Sequence, residues 1–375
     1  MSDCQLEENG EKDETVAFPV QPPTLSLQQP KKRKLVLHLD LNNTILVSDA
    51  ATGQGPRAAL NSYLSTVTWG QISETGEWMW LSDSVSVTAP CNNAVNYYTQ
   101  FGRNAQFTDT KMGKRFKEIF DRHMRMLEWQ GQANNMFTQK EGDGTVYHWI
   151  LPSFFHLLEN LHQQGREFSV LLRTFGVDLP LILPALHSAL LGEHPHFPQL
   201  RKVPLNVGLT PGKIRCSTRE VVMSWGSDRI STKADKESIY KYFNSVTGIG
   251  GIQDHFDWWA RNHFSGDGGK PFWIDPSDRD TQHIFIDDNI RLNEEDTIVN
   301  CQVFMNQQHK PQPRKVTTSE LYGICLVQND LLRAIAEKDY FLDCIRVCEE
   351  NYDRYLSNFP LQEAQKIGWP ADLQI

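Results

Sequence analysis

The sequence has no CxxC pair, no apolar run long enough to span a membrane, no excess of basic residues and no evident internal repeat. Its seven cysteines are Cys4, Cys91, Cys216, Cys301, Cys325, Cys344 and Cys348, an odd number with no secretory hydrophobic segment ahead of them. This disfavours a disulfide framework, and reduced thiols in a cytosolic protein are expected. Cys344 and Cys348 lie four apart on a predicted helix, where packing explains them better than metal binding. Without about twenty consecutive apolar residues, no helix is expected to cross a membrane. There are 46 acidic residues against 37 basic ones, for a formal net charge of −9. Broad nucleic-acid binding depends on basic surface and is not expected. A small anionic substrate needs only a local positive site and remains open.

The chain is 375 residues long and 39% apolar, with 10 Trp and 19 Phe. That supports a sizeable core in one large domain or two modest ones. Residues 1–33 read as a disordered tail, acidic at first and then rich in Pro, Gln and Ser. Lys31, Lys32, Arg33 and Lys34 form a basic run that reads either as a solvated lead-in to the first strand or as a nuclear localisation signal.

Beyond the tail, "LVLHLDL" reads as a buried strand, and 67–83 as a hairpin around Glu-Thr-Gly. Residues 110–130 form a predicted amphipathic helix, and 151–165 a second one, started by Pro152 and stopped by Gly165. "EFSVLLRTFG" follows at once as another buried strand, and a helix leading straight into such a strand suggests a parallel sheet. Helices are expected over 179–191, 232–245 and 253–264, with short strands over 212–225. "HIFIDD", 283–288, reads as a third buried strand and "CQVFM", 301–305, as a fourth. Residues 317–357 look largely helical, and Tyr340, Phe341, Tyr352 and Tyr355 there read as packing. "GIGG", 248–251, lacks the flanking strand and helix of a nucleotide fingerprint. His187, His194 and His196 lack a convincing ligand spacing.

The apolar strands end in informative residues: Asp40 on the first, Thr174 on the second, Asp287 and Asp288 on the third. In open parallel sheets, ligands bind beyond the carboxyl ends of the strands. Three strands would therefore deliver these groups to one crevice. Clustered carboxylates repel unless a cation lies among them, and hard oxygen ligands with water access suit Mg²⁺.

This ordered set resembles the haloacid dehalogenase superfamily of phosphotransferases and phosphatases, over about 40–305. The first family motif, Asp-x-Asp-x-Thr, is matched by Asp40, Asn42 and Thr44. The second is matched by Thr174 and the fourth by Asp287 and Asp288. The third is a lysine, for which Lys270 in "GDGGKPFWID" is the candidate; Lys233, Lys236 and Lys241 are alternatives. The resemblance implies an α/β fold with a Rossmann-like parallel sheet, helices on both faces and an inserted cap after the first strand. It implies a core of 34–49 and 149–310, a cap of 50–148 and a helical C-terminal extension of 311–375.

It also implies roles. Asp40 would attack phosphorus and form an aspartyl-phosphate. Mg²⁺ would be held by Asp40, the backbone carbonyl of Asn42, Asp287 and Asp288. Thr174 would hold a phosphate oxygen, with Thr44, Phe175 and Gly176 also on the substrate side, and Lys270 would balance charge. The substrate would be a small phosphorylated molecule, and no protein partner is indicated.

Asn42 departs from the family pattern. A carboxyl at this place protonates the leaving oxygen and then activates water, which an amide cannot do. Three readings follow: an acid from elsewhere, such as the insert; a substrate with a good leaving group; or a binding protein that has lost turnover. Ion pumps, phosphonate hydrolases and dehalogenases also lack this Asp; missing membrane spans exclude the pumps, and the acidic pair disfavours metal-free C–halogen cleavage. The cap would form a lobe over the Asp40 crevice. Its helix carries Lys111, Lys114, Arg115 and Lys117, which read as a solvated face or as a surface toward an anionic substrate.

Overall fold

The computed structural model describes residues 32–48, 53–292, 297–307 and 310–366. Lys31 and most of the expected tail lie outside the described residues. Of the basic run, Arg33 is tied to Asp353 at 2.7 Å, and Lys34 Nζ donates to the Asn244 and Val246 carbonyls.

A mixed α/β architecture surrounds one large, mostly parallel sheet. Its eight strands run in the order Asp228–Ser231, Val221–Trp225, Gly212–Cys216, Gly248–Gln253, Phe168–Thr174, Lys34–Asp40, Thr281–Asp287 and Leu326–Gln328. The last six are mutually parallel, and the first three form an antiparallel meander at one edge. Lys34–Asp40 lies in the middle and is buried on both faces beyond its first residue, as its largely apolar run predicts. Register decides what comes together: Asp40 pairs with Arg173 on one side and Leu39 with Ile286 on the other. Asp40, Thr174 and Asp287 therefore finish at the same end of three adjacent strands.

The helix Pro152–Gln163 begins at proline, buries Phe154, Phe155, Leu157, Leu158 and Leu161, and ends ahead of Gly165 at φ +63°. The helix Leu179–Leu190 leaves the carboxyl end of the Thr174 strand and starts beside the site.

Several sequence expectations need correction. The strand expected at 301–305 is present as Val299–Gln307, but it lies between Lys270–Ile274 and Lys310–Lys315 in a separate three-stranded sheet and not beside Thr281–Asp287. Residues 317–357 are not uniformly helical, since Leu326–Gln328 adds a parallel strand beside Asp287. "GIGG" lies within a main-sheet strand, Gly248–Gln253. A Cβ on Gly250 would come within 2.2 Å of the Trp225 ring and one on Gly251 within 2.4 Å of Leu179, so both faces demand glycine. The helices expected over 110–130, 232–245 and 253–264 contract to Lys117–Leu127 (after the 3-10 turn Gly113–Phe116), Ser238–Ser245 and Phe256–Arg261.

The insert contains the helix Pro56–Thr66, the expected hairpin (Thr68–Ile72 with Trp78–Val85) and a second hairpin, Thr138–Lys140 with Val146–His148. Its buried Leu60, Phe116, Phe120 and Leu127 belong to the same continuous hydrophobic core as Leu37 and Leu39 of the central strand. Its Val87 carbonyl accepts from Gln328 Nε2, a residue level with Asp287. Arg115 and Lys117 pair with Asp83 and Asp109. Tyr340, Phe341 and Tyr352 are buried, as a packing role predicts.

Candidate functional site

At the shared strand ends, Lys270 enters from the smaller sheet. Its ammonium donates to Asp40 Oδ1 at 2.6 Å, to Asp287 Oδ2 at 2.7 Å and to the Arg173 carbonyl at 3.2 Å. It is 1% exposed, a position a lysine occupies only when paired. The alternatives lie elsewhere: Lys233 and Lys236 are exposed, and Lys241 pairs with Asp235 and Glu237.

Asp40, Asp287 and Asp288 offer carboxylate oxygens that all lie within 4.8 Å of one another. Asp287 accepts the Asn289 amide at 2.8 Å, and its carbonyl accepts from Asn329 N. Asp288 accepts from Asn289 Nδ2, while Arg291 donates to its carbonyl. Two of these three carboxylates pair with the Lys270 ammonium, and Arg291 stands beside the third, Asp288, so carboxylates outnumber cations. Burial, against which the charge of Lys270 works, and the neighbouring Asp287 and Asp288 push Asp40 well above the usual carboxylate range. Burial and Asp287 push Asp288 up to about 7. Burial works to lower the Lys270 ammonium, but Asp287 and Asp40 outweigh it and hold it above its ordinary value.

This imbalance and the donor set fit a hard divalent cation. Thr44 Oγ1 and Asn42 Oδ1 are buried without a hydrogen-bond partner among the described residues, so the crevice retains polar capacity that the fold does not use.

Thr174 accepts the Gly176 amide at 2.8 Å. Phe175 stacks on Trp259 at 5.1 Å, and Lys270 Nζ lies 5.3 Å from the Phe175 ring centre. Asp178, which sequence reading did not single out, sets Oδ2 3.5 Å from Asn42 Nδ2. It stands at the N-cap of Leu179–Leu190 but makes no capping hydrogen bond there, so its carboxylate faces the crevice instead. A Cβ on Gly176 would come within 2.7 Å of that carboxylate and 3.2 Å of Thr174 Oγ1. Glycine at 176 is what lets these groups converge.

A second buried charge assembly lies one residue from Thr174. Arg173 forms a two-pronged pair with Asp254, at 2.6 and 2.9 Å, and donates to the Pro271 carbonyl at 3.1 Å. Its NH1 also meets His38 Nδ1 at 3.1 Å, His38 Nε2 meets His283 Nδ1 at 3.0 Å, and His283 Nε2 meets Asn244 Oδ1 at 2.6 Å. Because Arg173 only donates, His38 must accept at Nδ1 and donate at Nε2, and His283 must do the same in turn. Both rings are neutral: burial and neighbouring positive groups push His38 well down and His283 to about 3.

The histidines the sequence singled out as unconvincing ligands do not assemble a metal centre. His194 is packed against Phe137, Phe155 and Trp129, and His196 stacks on Trp129 at 4.1 Å. Burial lowers His194 to about 3 and His148 to about 4. Among the described residues, only the Asp40–Asp287–Asp288 group has metal-binding spacing. The described cysteines are free thiols, and none of the described helices is long and apolar enough to cross a membrane.

Comparison with family models, with curated proteins and with solved structures finds no match.

Proposed function

We propose that this chain is a divalent-cation-dependent phosphohydrolase or phosphotransferase of the haloacid dehalogenase type, working through Asp40. The observation that carries this reading is one lysine buried between Asp40 and Asp287, with Asp288 beside them and Thr174 on the next strand end. The central position of Lys34–Asp40, between the Thr174 and Asp287 strands, supports a Rossmann-like layout.

Lys270 engages Asp40 Oδ1, which leaves Oδ2 to attack phosphorus. The lysine also orients the carboxylate and offsets charge as the phosphoryl group transfers. Thr174 accepts from Gly176 N, so its own O–H is left to donate to a phosphate oxygen. Asp40, Asp287, Asp288 and the Asn42 carbonyl would hold the cation, and Mg²⁺ is the ion that phosphoryl chemistry in such an oxygen site favours. Bound there, it would neutralise phosphate charge.

Asn42 favours a second reading, a phosphate- or cation-binding protein with impaired turnover, because its amide cannot exchange a proton. A screen of the full chain with Mg²⁺ against alkyl, aryl and acyl phosphates separates the two. Turnover that disappears in Asp40→Asn supports the enzyme. Cation binding without turnover supports the binding protein. Turnover that survives Asp40→Asn rules out the aspartyl-phosphate route.

A further inference from the structure

The lysine that joins Asp40 to Asp287 does not belong to their sheet. Lys270–Ile274 pairs with Val299–Gln307 in the smaller sheet, so no strand register fixes where Lys270 stands against the shared strand ends. Among the described residues, one hydrogen bond ties the backbone of Lys270–Ile274 to a main-sheet strand: Arg173 NH2 donates to the Pro271 carbonyl at 3.1 Å. Arg173 reaches the lysine a second time, because its own carbonyl accepts from Lys270 Nζ at 3.2 Å. Lys270 is thus held at both ends, through the residue that follows it and through the ammonium it presents.

Resting on the phosphoryl reading above, we propose that Arg173 is a positioning residue: it sets the Lys270 ammonium on Asp40 Oδ1, and Asp254 and His38 hold the guanidinium at the angle this requires. A guanidinium suits the task because its donors are fixed in one plane. Asp254 takes Nε at 2.9 Å and NH2 at 2.6 Å, and His38 Nδ1 takes NH1 at 3.1 Å. With these sides pinned, the direction of the remaining bond, to Pro271, is set.

Both holders are anchored in turn. The Asp254 amide donates to the Thr174 carbonyl at 2.8 Å. His38 stands two residues before Asp40 on the central strand and donates to His283, which donates to Asn244 Oδ1. Asn244 Nδ2 then donates to Asp278 Oδ2 at 2.9 Å. Every donor in this chain points away from Arg173, and the chain ends on a carboxylate. That polarity keeps a lone pair of His38 turned toward the guanidinium. Arg173, His38, Asp254 and His283 are all at most 2% exposed, so bulk water does not loosen the arrangement.

The test uses the full chain with Mg²⁺ and 4-nitrophenyl phosphate, in wild type, Arg173→Leu/Asp254→Leu and Arg173→Lys. The double variant removes both buried charges, and with them the stability loss that a stranded Asp254 would cause. Its urea midpoint should approach wild type, yet kcat should stay about 10²-fold lower, the scale of a small misplacement in a reacting site. KM should remain within about threefold. Arg173→Lys keeps a cation for Asp254 but has no fork to reach Pro271 as well, so it should be slowed by a similar factor. If the double variant does not fold, Arg173→Lys carries every readout. One readout is independent of turnover: the Lys270 ammonium, assigned by the loss of its ¹⁵N signal in Lys270→Met, should exchange with water about tenfold faster in both variants.

Recovery of kcat together with the urea midpoint, or in Arg173→Lys, would make Arg173 a structural residue only and overturn the proposal. An ammonium signal unchanged from wild type would overturn it as well, and either result leaves the phosphoryl reading standing. If wild type turns over no phosphate, the phosphoryl reading falls, and the ammonium signal alone decides whether Arg173 places Lys270.

Discussion

Two buried charge assemblies lie side by side at the carboxyl end of the sheet, and they differ in balance. Arg173 and Asp254 are both wholly buried, one cation to one anion, and each fork of the guanidinium has a partner. Lys270 is nearly as buried but pairs with two carboxylates, Asp40 and Asp287, with the third, Asp288, beside them. The first assembly is neutral and closed, so it holds the Thr174 strand against the Asp254 turn. The second has surplus negative charge, raised carboxyl pKa values and unused polar atoms on Asn42 and Thr44. Burial is common to both; what makes the second a candidate site is the charge that the fold leaves unmatched.

The largest expected contrast is Asp40→Asn against Arg173→Leu. Asp40→Asn should reduce Mg²⁺-dependent turnover to background while leaving the urea midpoint close to wild type, because it removes one of three mutually repelling carboxylates. Arg173→Leu should cost about 3–5 kcal/mol of stability by stranding Asp254 in the interior, read from urea unfolding. If the two variants destabilise alike, the distinction between closed and open assemblies fails. Combining Arg173→Leu with Asp254→Leu should recover much of the loss, since the stranded charge is then gone.

Next in size is Asn42→Asp. If turnover is limited by the missing proton donor, hydrolysis of alkyl phosphates should rise by about 10²-fold, with a smaller gain for acyl phosphates. Equal gains on both would assign the effect to binding and not to proton transfer.

The smallest effect sharpens the comparison through pH. Asp288 is raised to about 7, so between about pH 4 and 7 the folded, cation-free protein retains a proton that the unfolded chain has released. This group's contribution to stability therefore falls as pH rises through that window. His148, at about 4, and His194, at about 3, act in the opposite direction, because the unfolded chain takes up their protons first as pH falls. Comparing melting temperature with and without Mg²⁺ isolates the carboxylates. The Mg²⁺-induced rise should grow from pH 5.5 to about 7 and then level off. A rise independent of pH would place the cation elsewhere.

Much of the site was legible because its signals are local. Asp40, Thr174 and Asp287 each end a largely apolar run, and such runs are what strands buried on both faces require. Lys270 was harder, since an isolated lysine before proline says nothing about burial; only the fold brings it to Asp40 across 230 positions. The Gly248–Gln253 strand was missed because its glycines, required by Trp225 and Leu179, remove the side chains that carry a strand pattern. Val299–Gln307 was recognised as a strand, but a strand's sequence does not reveal which sheet it joins. Asp178 carried no signal at all, since an acid before a helix ordinarily reads as a cap. Arg173 did break an apolar run, and a charge buried in such a run is a sign that a partner must exist.

The central place of Lys34–Asp40 has a consequence for how the chain is made. Its two neighbours in the sheet, Phe168–Thr174 and Thr281–Asp287, are translated much later. At ribosomal speed, the first of them follows after on the order of ten seconds. Throughout that interval an apolar strand with both edges unpaired is outside the ribosome, in the form most prone to stick to another chain. The nascent protein is thus expected to need shelter, from a chaperone or from provisional contacts with its own insert, before the centre of its sheet can close.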